Sequence, residues 1–161
     1  MELILLDDES NFTQTVSRLE ALYTTHDVVA YLGGFSSPIH AAQAPIAEKN
    51  KVPLFMVATY LYSIHQKGYK YNFSPFPKSP DFAKGVFDIL DSIPAAQRPK
   101  KVAIFMEKAP VGMELGDMWK EQAAKRGYGE ILYRDQPREM KDFSPLIMPA
   151  KAAGSEILLT G

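Results

Sequence analysis

The stretch Val28-Val29-Ala30-Tyr31-Leu32-Gly33-Gly34-Phe35-Ser36-Ser37-Pro38 decides the fold, because a strand, a turn and a helix start follow one another within it. Its first five residues form an apolar run typical of a strand buried on both faces. Gly33 and Gly34 end that run, and Pro38 stands where the first turn of a helix tolerates a missing N–H. A strand followed at once by a helix is the unit from which parallel sheets are built.

The same order of strand and helix repeats on both sides of this stretch. Strands are predicted from short apolar runs at residues 3–6, 28–32, 52–57, 69–73, 102–106, 130–133 and 157–160. Helices are predicted from apolar residues three or four positions apart, after Ser10 or Asn11 and from residues 37, 79, 115 and 144. The inner face of the helix from residue 79 is predicted to consist of Phe82, Val86, Ile89 and Leu90. The chain is therefore predicted to be α/β, with parallel sheets flanked by helices.

A turn-rich segment, Ser92-Ile93-Pro94-Ala95-Ala96-Gln97-Arg98-Pro99, interrupts this pattern. The alternation of strand and helix restarts after it. We therefore predict two regions built on the same plan, residues 1–95 and residues 96–161.

Composition narrows the class of protein. The chain has 161 residues, of which 46% are hydrophobic and 23% charged, as in an average soluble globular domain. Its formal net charge of -1 does not favour a nucleic-acid partner or an anionic membrane surface. Cysteine is absent, which excludes disulfides and thiolate metal sites. The three histidines, His26, His40 and His65, lie far apart without ligand spacing, so we predict surface or cap histidines and no metal site.

The loop after the strand at 28–32 has the chemistry of an anion site. In open α/β sheets, ligands bind beyond the carboxyl ends of the strands. The glycines allow close approach of a ligand, and a helix start presents unpaired N–H groups and the positive end of a dipole. Ser36 and Ser37 add hydroxyl groups, so this loop suits a carboxylate. The alternative is that Ser37 only caps its own helix.

Two further strand ends carry polar residues. After the strand at 52–57, Ala58, Thr59 and Tyr60 offer a carbonyl, a hydroxyl and a ring, which could hold an ammonium group and cover apolar ligand surface. The alternative is a polar turn with a half-buried tyrosine. After the strand at 3–6, the acids at 7–9 could bind Mg²⁺ or simply form a solvated strand end.

The segment Ile4-Leu5-Leu6-Asp7-Asp8-Glu9 resembles the opening of a response-regulator receiver domain. A receiver also needs a phosphoacceptor aspartate at the end of its third strand, where this sequence has Ala58-Thr59. A receiver domain therefore remains an alternative, although the sequence lacks the phosphoacceptor aspartate. A serine hydrolase is not supported, because no Gly-x-Ser-x-Gly elbow occurs and no His/Asp pair is placed to activate Ser36 or Ser37. We predict a binding module rather than an enzyme, without a cofactor.

Four stretches, in order and across nearly the whole chain, resemble the type I periplasmic binding proteins related to the leucine/isoleucine/valine-binding protein. They are Asp7-Asp8-Glu9-Ser10-Asn11, Leu32-Gly33-Gly34-Phe35-Ser36-Ser37, Ala44-Pro45-Ile46-Ala47-Glu48-Lys49-Asn50-Lys51-Val52-Pro53 and Lys141-Asp142-Phe143-Ser144-Pro145-Leu146-Ile147. Their similarity is to "D-D-(E/Q)-S-N", "G-x-x-S-S", "A-P-(I/V)-A-E-x-x-x-(I/V)-P" and "x-D-F-S-x-L-(I/V)" in that family.

The resemblance implies two Rossmann-like lobes that close on an amino acid or a related carboxylate. It implies that the serine loop, through Ser37, grips the carboxylate, and that the segment 58–60 contacts the amino group. Tyr60 stands where amino-acid binders often have threonine, and Val111 stands where an aromatic residue often precedes the glycine, here Gly112. These two departures favour an aromatic or extended carboxylate over leucine, isoleucine or valine.

The same resemblance implies a role and a place in the cell. Such proteins work at the periplasmic or extracellular face of the membrane and deliver their ligand to an ABC permease, whereas related sensor domains report it. We expect the first strand and helix of lobe one, with a signal peptide, to lie before Met1, and about half of lobe two to follow Gly161. A preparation limited to these residues is expected to self-associate through unpaired strand edges.

Overall fold

The computed structural model describes residues 2–129, 131–137 and 139–161, and it divides by contacts into two compact units, Met1–Lys78 and Ser79–Gly161. Over its described residues, 2–78, the first unit contains three helices and three strands. They are α1 Phe12–Thr25, β1 Tyr31–Gly33, α2 Ser37–Asn50, β2 Leu54–Met56, α3 Tyr62–His65 and β3 Asn72–Phe73. The strands form a parallel sheet in the order β1-β2-β3. Gly33 pairs with Met56, so the carboxyl ends of β1 and β2 lie side by side.

The helix starts of the first unit follow from local sequence. Asn11 caps α1, and its side chain accepts hydrogen bonds from the backbone N–H groups of Thr13 and Gln14. Helix α2 begins at Ser37 with Pro38 in its first turn, and its C-cap residue, Lys51, adopts the left-handed conformation. Both predicted helix starts are confirmed.

The strand predicted at residues 3–6 is wrong. These residues form no strand, and Leu3 and Leu5 are 75% and 81% exposed. An apolar run becomes a strand only where a neighbouring strand supplies hydrogen-bond partners, and β1 pairs with β2 alone among the described strands. For the same reason the strand predicted at 28–32 is shortened to Tyr31–Gly33, where Pro53 and β2 offer partners.

The described part of the second unit, residues 79–129, 131–137 and 139–161, also contains three helices and three strands. They are α4 Ser79–Ser92, β4 Val102–Glu107, α5 Pro110–Lys125, β5 Ile131–Gln136, α6 Ser144–Ala152 and β6 Ile157–Thr160. The strands form a second parallel sheet in the order β5-β4-β6. The central strand β4 is the most buried, as its continuous apolar sequence predicts. On one face of β4, Ala103 and Phe105 pack against Leu146 and Ala150 of α6.

Helix α4 differs from its prediction in two ways. It packs against α5, so the division of contacts falls after Lys78 and not after residue 95, where the sequence placed the boundary. Its buried residues are Ser79, Ala83, Phe87 and Leu90, whereas Ile89 is 68% exposed. Apolar residues occupy more than one stripe of this helix, so periodicity alone did not identify the packed face.

Candidate ligand-binding site

The candidate site lies where β1 and β2 end. The residues that follow β1 lead through Gly34, Phe35 and Ser36 into α2, and the residues that follow β2 run from Val57 to Tyr60. Because the two strands are parallel neighbours, both loops emerge at the same edge of the sheet. Ser36 and Ser37 in the first loop and Ala58, Thr59 and Tyr60 in the second were each predicted as candidate ligand residues, and the structure places the two loops at one edge of the sheet.

Glycine is required at both positions of the first loop, for a different steric reason at each. A Cβ on Gly33 would lie 1.8 Å from Cε1 of Tyr31, whose ring covers that position. Gly34 has a φ of +60°, and a Cβ there would meet Cγ2 of Ile39 at 2.8 Å. The loop therefore turns tightly into the first turn of α2, where Ser37 contacts the loop after β2.

Ser37 makes its contacts with the second loop and not with its own helix. The N-cap is Ser36, with a φ of 87° and no hydrogen bond from its side chain to the helix. Ser37 is the first helical residue and is 3% exposed. Its Oγ accepts hydrogen bonds from Thr59 Oγ1 at 3.1 Å and from the backbone N–H of Tyr60 at 3.2 Å. The alternative that Ser37 is only a helix cap is therefore wrong.

These two bonds leave one hydroxyl hydrogen unused. A hydroxyl has two acceptor lone pairs and one hydrogen. Ser37 Oγ accepts twice, and no acceptor for its own hydrogen is found among the described residues. If the hydrogen between Ser37 and Thr59 points the other way, the free hydrogen belongs to Thr59 instead. In either case the pair retains one O–H donor at the positive end of helix α2.

A buried histidine supports the first loop. His40 is fully buried, and its Nε2 donates to the carbonyl oxygen of Gly33 at 2.6 Å. Burial lowers the pKa of His40 below the ordinary histidine value; backbone hydrogen bonds to Gly33 and Gly34 partly offset this, and the charge of Lys78 lowers it further. The neutral imidazole therefore ties α2 to the end of β1. The prediction of a surface or cap histidine is wrong for His40. That prediction assumed that a polar residue without ligand spacing is exposed, whereas His40 is fully buried.

Beneath the loop, a buried glutamine joins three elements. Gln43 of α2 donates from Nε2 to Thr15 Oγ1 of α1 at 3.3 Å and to the hydroxyl of Tyr31 in β1 at 3.1 Å. Thr15 in turn donates to Asp8 Oδ2 at 2.9 Å. These polar contacts fix the angle between α1, α2 and β1 under the serine loop.

Lys78 is the residue of this region that the sequence interpretation missed. Its Nζ donates to the carbonyl oxygen of Thr59 at 3.1 Å, to Ser74 Oγ at 2.7 Å and to the carbonyl oxygen of Phe76 at 2.6 Å. No pattern in the sequence around Lys78 predicts that it contacts a loop about twenty residues earlier in the chain. Its contact with Thr59 was visible only in three dimensions.

Of the remaining predicted residues, two lie in the first unit and one lies in the second. Ala58 and the side chain of Tyr60 are half-buried in the loop after β2. Val111 is half-buried in the first turn of α5, and it belongs to the second unit. There the next residue, Gly112, touches the end of β4, since a Cβ on it would lie 2.3 Å from the carbonyl oxygen of Glu107.

The acids at residues 7–9 make local bonds. Asp7 Oδ1 and Asp8 Oδ1 accept from the backbone N–H groups of Glu9 and Ser10, and Glu9 pairs with Arg18 at 2.8 Å. Within the described ranges, no group of three or more His, Cys, Asp or Glu residues is placed to hold a metal ion. The same ranges contain no helix long and apolar enough to cross a membrane.

The fold and this site define a class of protein, the α/β ligand-binding proteins whose ligand loops lie at the carboxyl ends of parallel strands. The family model described as "Periplasmic binding protein" matches residues 1–161. The chain belongs to this family, as its sequence motifs predicted. With that membership, and with the acids at residues 7–9 engaged locally, the receiver interpretation has no support.

Individual relatives show the same relationship. "Leu/Ile/Val-binding protein homolog 7" of Brucella abortus (strain 2308) is 22% identical over 162 residues, which is 98% of this chain and 41% of that protein. A leucine-binding protein of Thermotoga maritima has a TM-score of 0.84 and 23% identity over 99% of this chain and 44% of its own.

A solute-binding protein of an ABC transporter from Rhodopseudomonas palustris HaA2, solved with p-hydroxybenzoic acid, has a TM-score of 0.86 and 20% identity, covering 98% of this chain and 42% of its own. These structures confirm the α/β fold with parallel sheets. The chain spans less than half the length of each of these three proteins.

Proposed function

We propose that this chain is part of the solute-binding protein of an ABC importer. In this proposal the intact protein works at the periplasmic or extracellular face of the membrane. It closes two lobes on an amino acid or a related small carboxylate and delivers that ligand to a permease. Its function is binding and not catalysis.

The observation that carries the proposal is the free O–H hydrogen of the Ser37–Thr59 pair. The donor lies at the first turn of a 14-residue helix, α2, whose dipole favours an anion there. A hydroxyl that donates to a carboxylate forms a charge-assisted hydrogen bond, which is stronger than one to a neutral acceptor. A ligand carboxylate is the group that fits both the unused donor and the helix end.

The second loop supports a ligand with an apolar or aromatic body. The backbone N–H of Tyr60 donates to Ser37 Oγ, and its ring is half-buried in the same loop, where we propose that it covers apolar ligand surface. We propose that Ala58 lines the site with Thr59 and Tyr60, that Ser36 lines it beside Ser37, and that Val111 meets the ligand from the second lobe. A valine there is smaller than a ring and leaves room for a larger ligand.

A thermal-shift screen of the full-length protein tests both the function and the ligand class. We expect the largest shift from an aromatic or extended carboxylate such as 4-hydroxybenzoate, and a smaller one from leucine, isoleucine or valine. At a hundredfold excess over Kd, one bound ligand stabilises the folded state by about 2.7 kcal/mol. If an aliphatic amino acid gave the largest shift, the proposed ligand class would be wrong. If no carboxylate shifted the transition, the proposed function would be wrong.

A further inference from the structure

Lys78 is fixed at the edge of the candidate site by its own segment. Its Nζ donates to Ser74 Oγ, four residues earlier, and to the carbonyl oxygen of Phe76, two residues earlier. These two bonds hold the ammonium group in place. Its third described bond, at 3.1 Å, reaches the carbonyl oxygen of Thr59 in the loop after β2.

The carbonyl of Thr59 and the N–H of Tyr60 belong to one peptide group. No described peptide bond is cis, so this C=O and this N–H point in opposite directions. On one side the carbonyl accepts from Lys78, and on the other side the N–H donates to Ser37 Oγ at 3.2 Å. The donors therefore run in one direction, from the ammonium through the peptide to the Ser37 hydroxyl, which has an O–H hydrogen to pass on.

We propose that Lys78 is a positioning residue that acts through the Thr59–Tyr60 peptide to make the Ser37 hydroxyl a stronger donor, so that the site selects a carboxylate over the matching neutral amide. This inference rests on the proposed function, because it concerns the same site. Lys78 does not touch the ligand in this proposal, yet it contributes to the discrimination between anionic and neutral ligands.

Two physical effects act in the same sense. A cation on a carbonyl polarises the peptide, and hydrogen bonds in a chain strengthen one another when their donors point the same way. The positive charge also attracts an anion at Ser37 directly, through a partly buried region where screening is weaker than in water. A neutral amide gains little from either effect.

Two of the three histidines of the first unit, His40 and His65, lie within the range of the Lys78 charge. Burial is the larger cause of the lowered pKa of both His40 and His65, and the charge of Lys78 lowers each pKa further. His40 lies under the serine loop, where it donates to Gly33. The field of Lys78 therefore extends to the loop that carries Ser37.

A calorimetric comparison of acids with their amides tests the proposal in the full-length protein. The probes are 4-hydroxybenzoate with 4-hydroxybenzamide, and leucine with leucinamide. In Lys78→Met, which keeps the length of the side chain and removes its charge, we expect the acid to bind about five- to tenfold more weakly. The affinity for the amide should change less than about twofold. Lys67→Met, at an exposed lysine of the same unit, is the matched control and should change neither.

A second readout needs no ligand. Removing the cation should move the amide proton of Tyr60 upfield in the NMR spectrum of Lys78→Met, while Lys67→Met leaves it in place. Equal losses of affinity for acid and amide, or no change in either affinity, would overturn the inference. Lys78 would then only stabilise the conformation of residues 74–78. A wild-type protein that binds neither acid would instead contradict the proposed function, and the inference with it, even if the Tyr60 signal moved.

Discussion

Replacing Ser37 by alanine in the full-length protein is expected to weaken carboxylate binding by about one to two decades. The change breaks up the Ser37–Thr59 hydroxyl pair, whose unused O–H hydrogen is proposed to donate to the ligand, and a charge-assisted hydrogen bond contributes roughly 1.5–3 kcal/mol. Isothermal titration calorimetry with the best acid from the ligand screen measures this change directly. Because Tyr60 N–H and Thr59 Oγ1 also lose their acceptor, we expect a loss of folding stability as well.

Two variants separate binding from stability. Ser17→Ala removes an exposed hydroxyl from α1, whose Oγ donates only within its own helix, and should leave affinity unchanged. Thr59→Val keeps the side-chain volume and the Ser37 hydroxyl, and it removes one of the two donors to Ser37 Oγ. An affinity that is unchanged in Ser37→Ala would reduce Ser37 to a residue that only joins α2 to the loop after β2.

A polypeptide limited to residues 1–161 is expected to form dimers or larger species. Leu5, Val29, Leu32 and Phe35 are each more than 70% exposed, and strand β1 has a described neighbour on one side only. Exposed apolar side chains beside an unpaired strand edge favour pairing with another copy of the chain. Light scattering with intact mass spectrometry on the same sample measures the oligomeric state.

Charge substitutions identify the surface responsible. Leu5→Lys combined with Leu32→Lys should shift the population toward monomer, because a charge on strand β1 opposes edge pairing and a charge in place of exposed Leu5 removes apolar surface. Ile89→Lys, at an equally exposed apolar residue of α4 in the second unit, is the control and should leave the association in place. A monodisperse monomer with the mass of these residues alone would show that the exposed apolar surface does not drive association.

Local signals predicted the part of the fold that local interactions determine. The start of α2 follows from Ser37 and Pro38, and the start of α1 follows from Asn11, because caps and first turns depend on neighbouring residues. Strand β4 was predicted from one apolar run, and its burial on both faces agrees. The rule that ligands bind beyond the carboxyl ends of parallel strands selected the two loops as candidates, and the hydrogen bonds that join them were found from the structure.

Features that depend on distant partners were not predictable in this way. The run at residues 3–6 has the composition of a strand, yet a strand requires another strand beside it. On α4, Phe87 is buried and Ile89 is exposed, although both are large and apolar, because packing against α5 selects the face. Composition cannot make that selection.

The polar contacts of the site show the same limit. His40 and Lys78 each bond a backbone carbonyl in another segment, at Gly33 and at Thr59 respectively. No spacing rule connects these pairs, since backbone acceptors carry no signature in the sequence. The position of Ser36 and Ser37 where a loop enters α2 was predictable from the glycine turn and the helix start, whereas the contacts of His40 and Lys78 were found only from the structure.

The proposed binding function depends most directly on the contact between the Ser37–Thr59 pair and a ligand carboxylate. A crystal structure of the full-length protein with the best acid from the screen measures it. We predict a carboxylate oxygen about 2.5–2.8 Å from the Oγ of Ser37 or Oγ1 of Thr59, at the start of α2, with the Lys78–Thr59 bond intact. A ligand bound elsewhere, or one whose carboxylate lies away from both hydroxyls, would contradict the account.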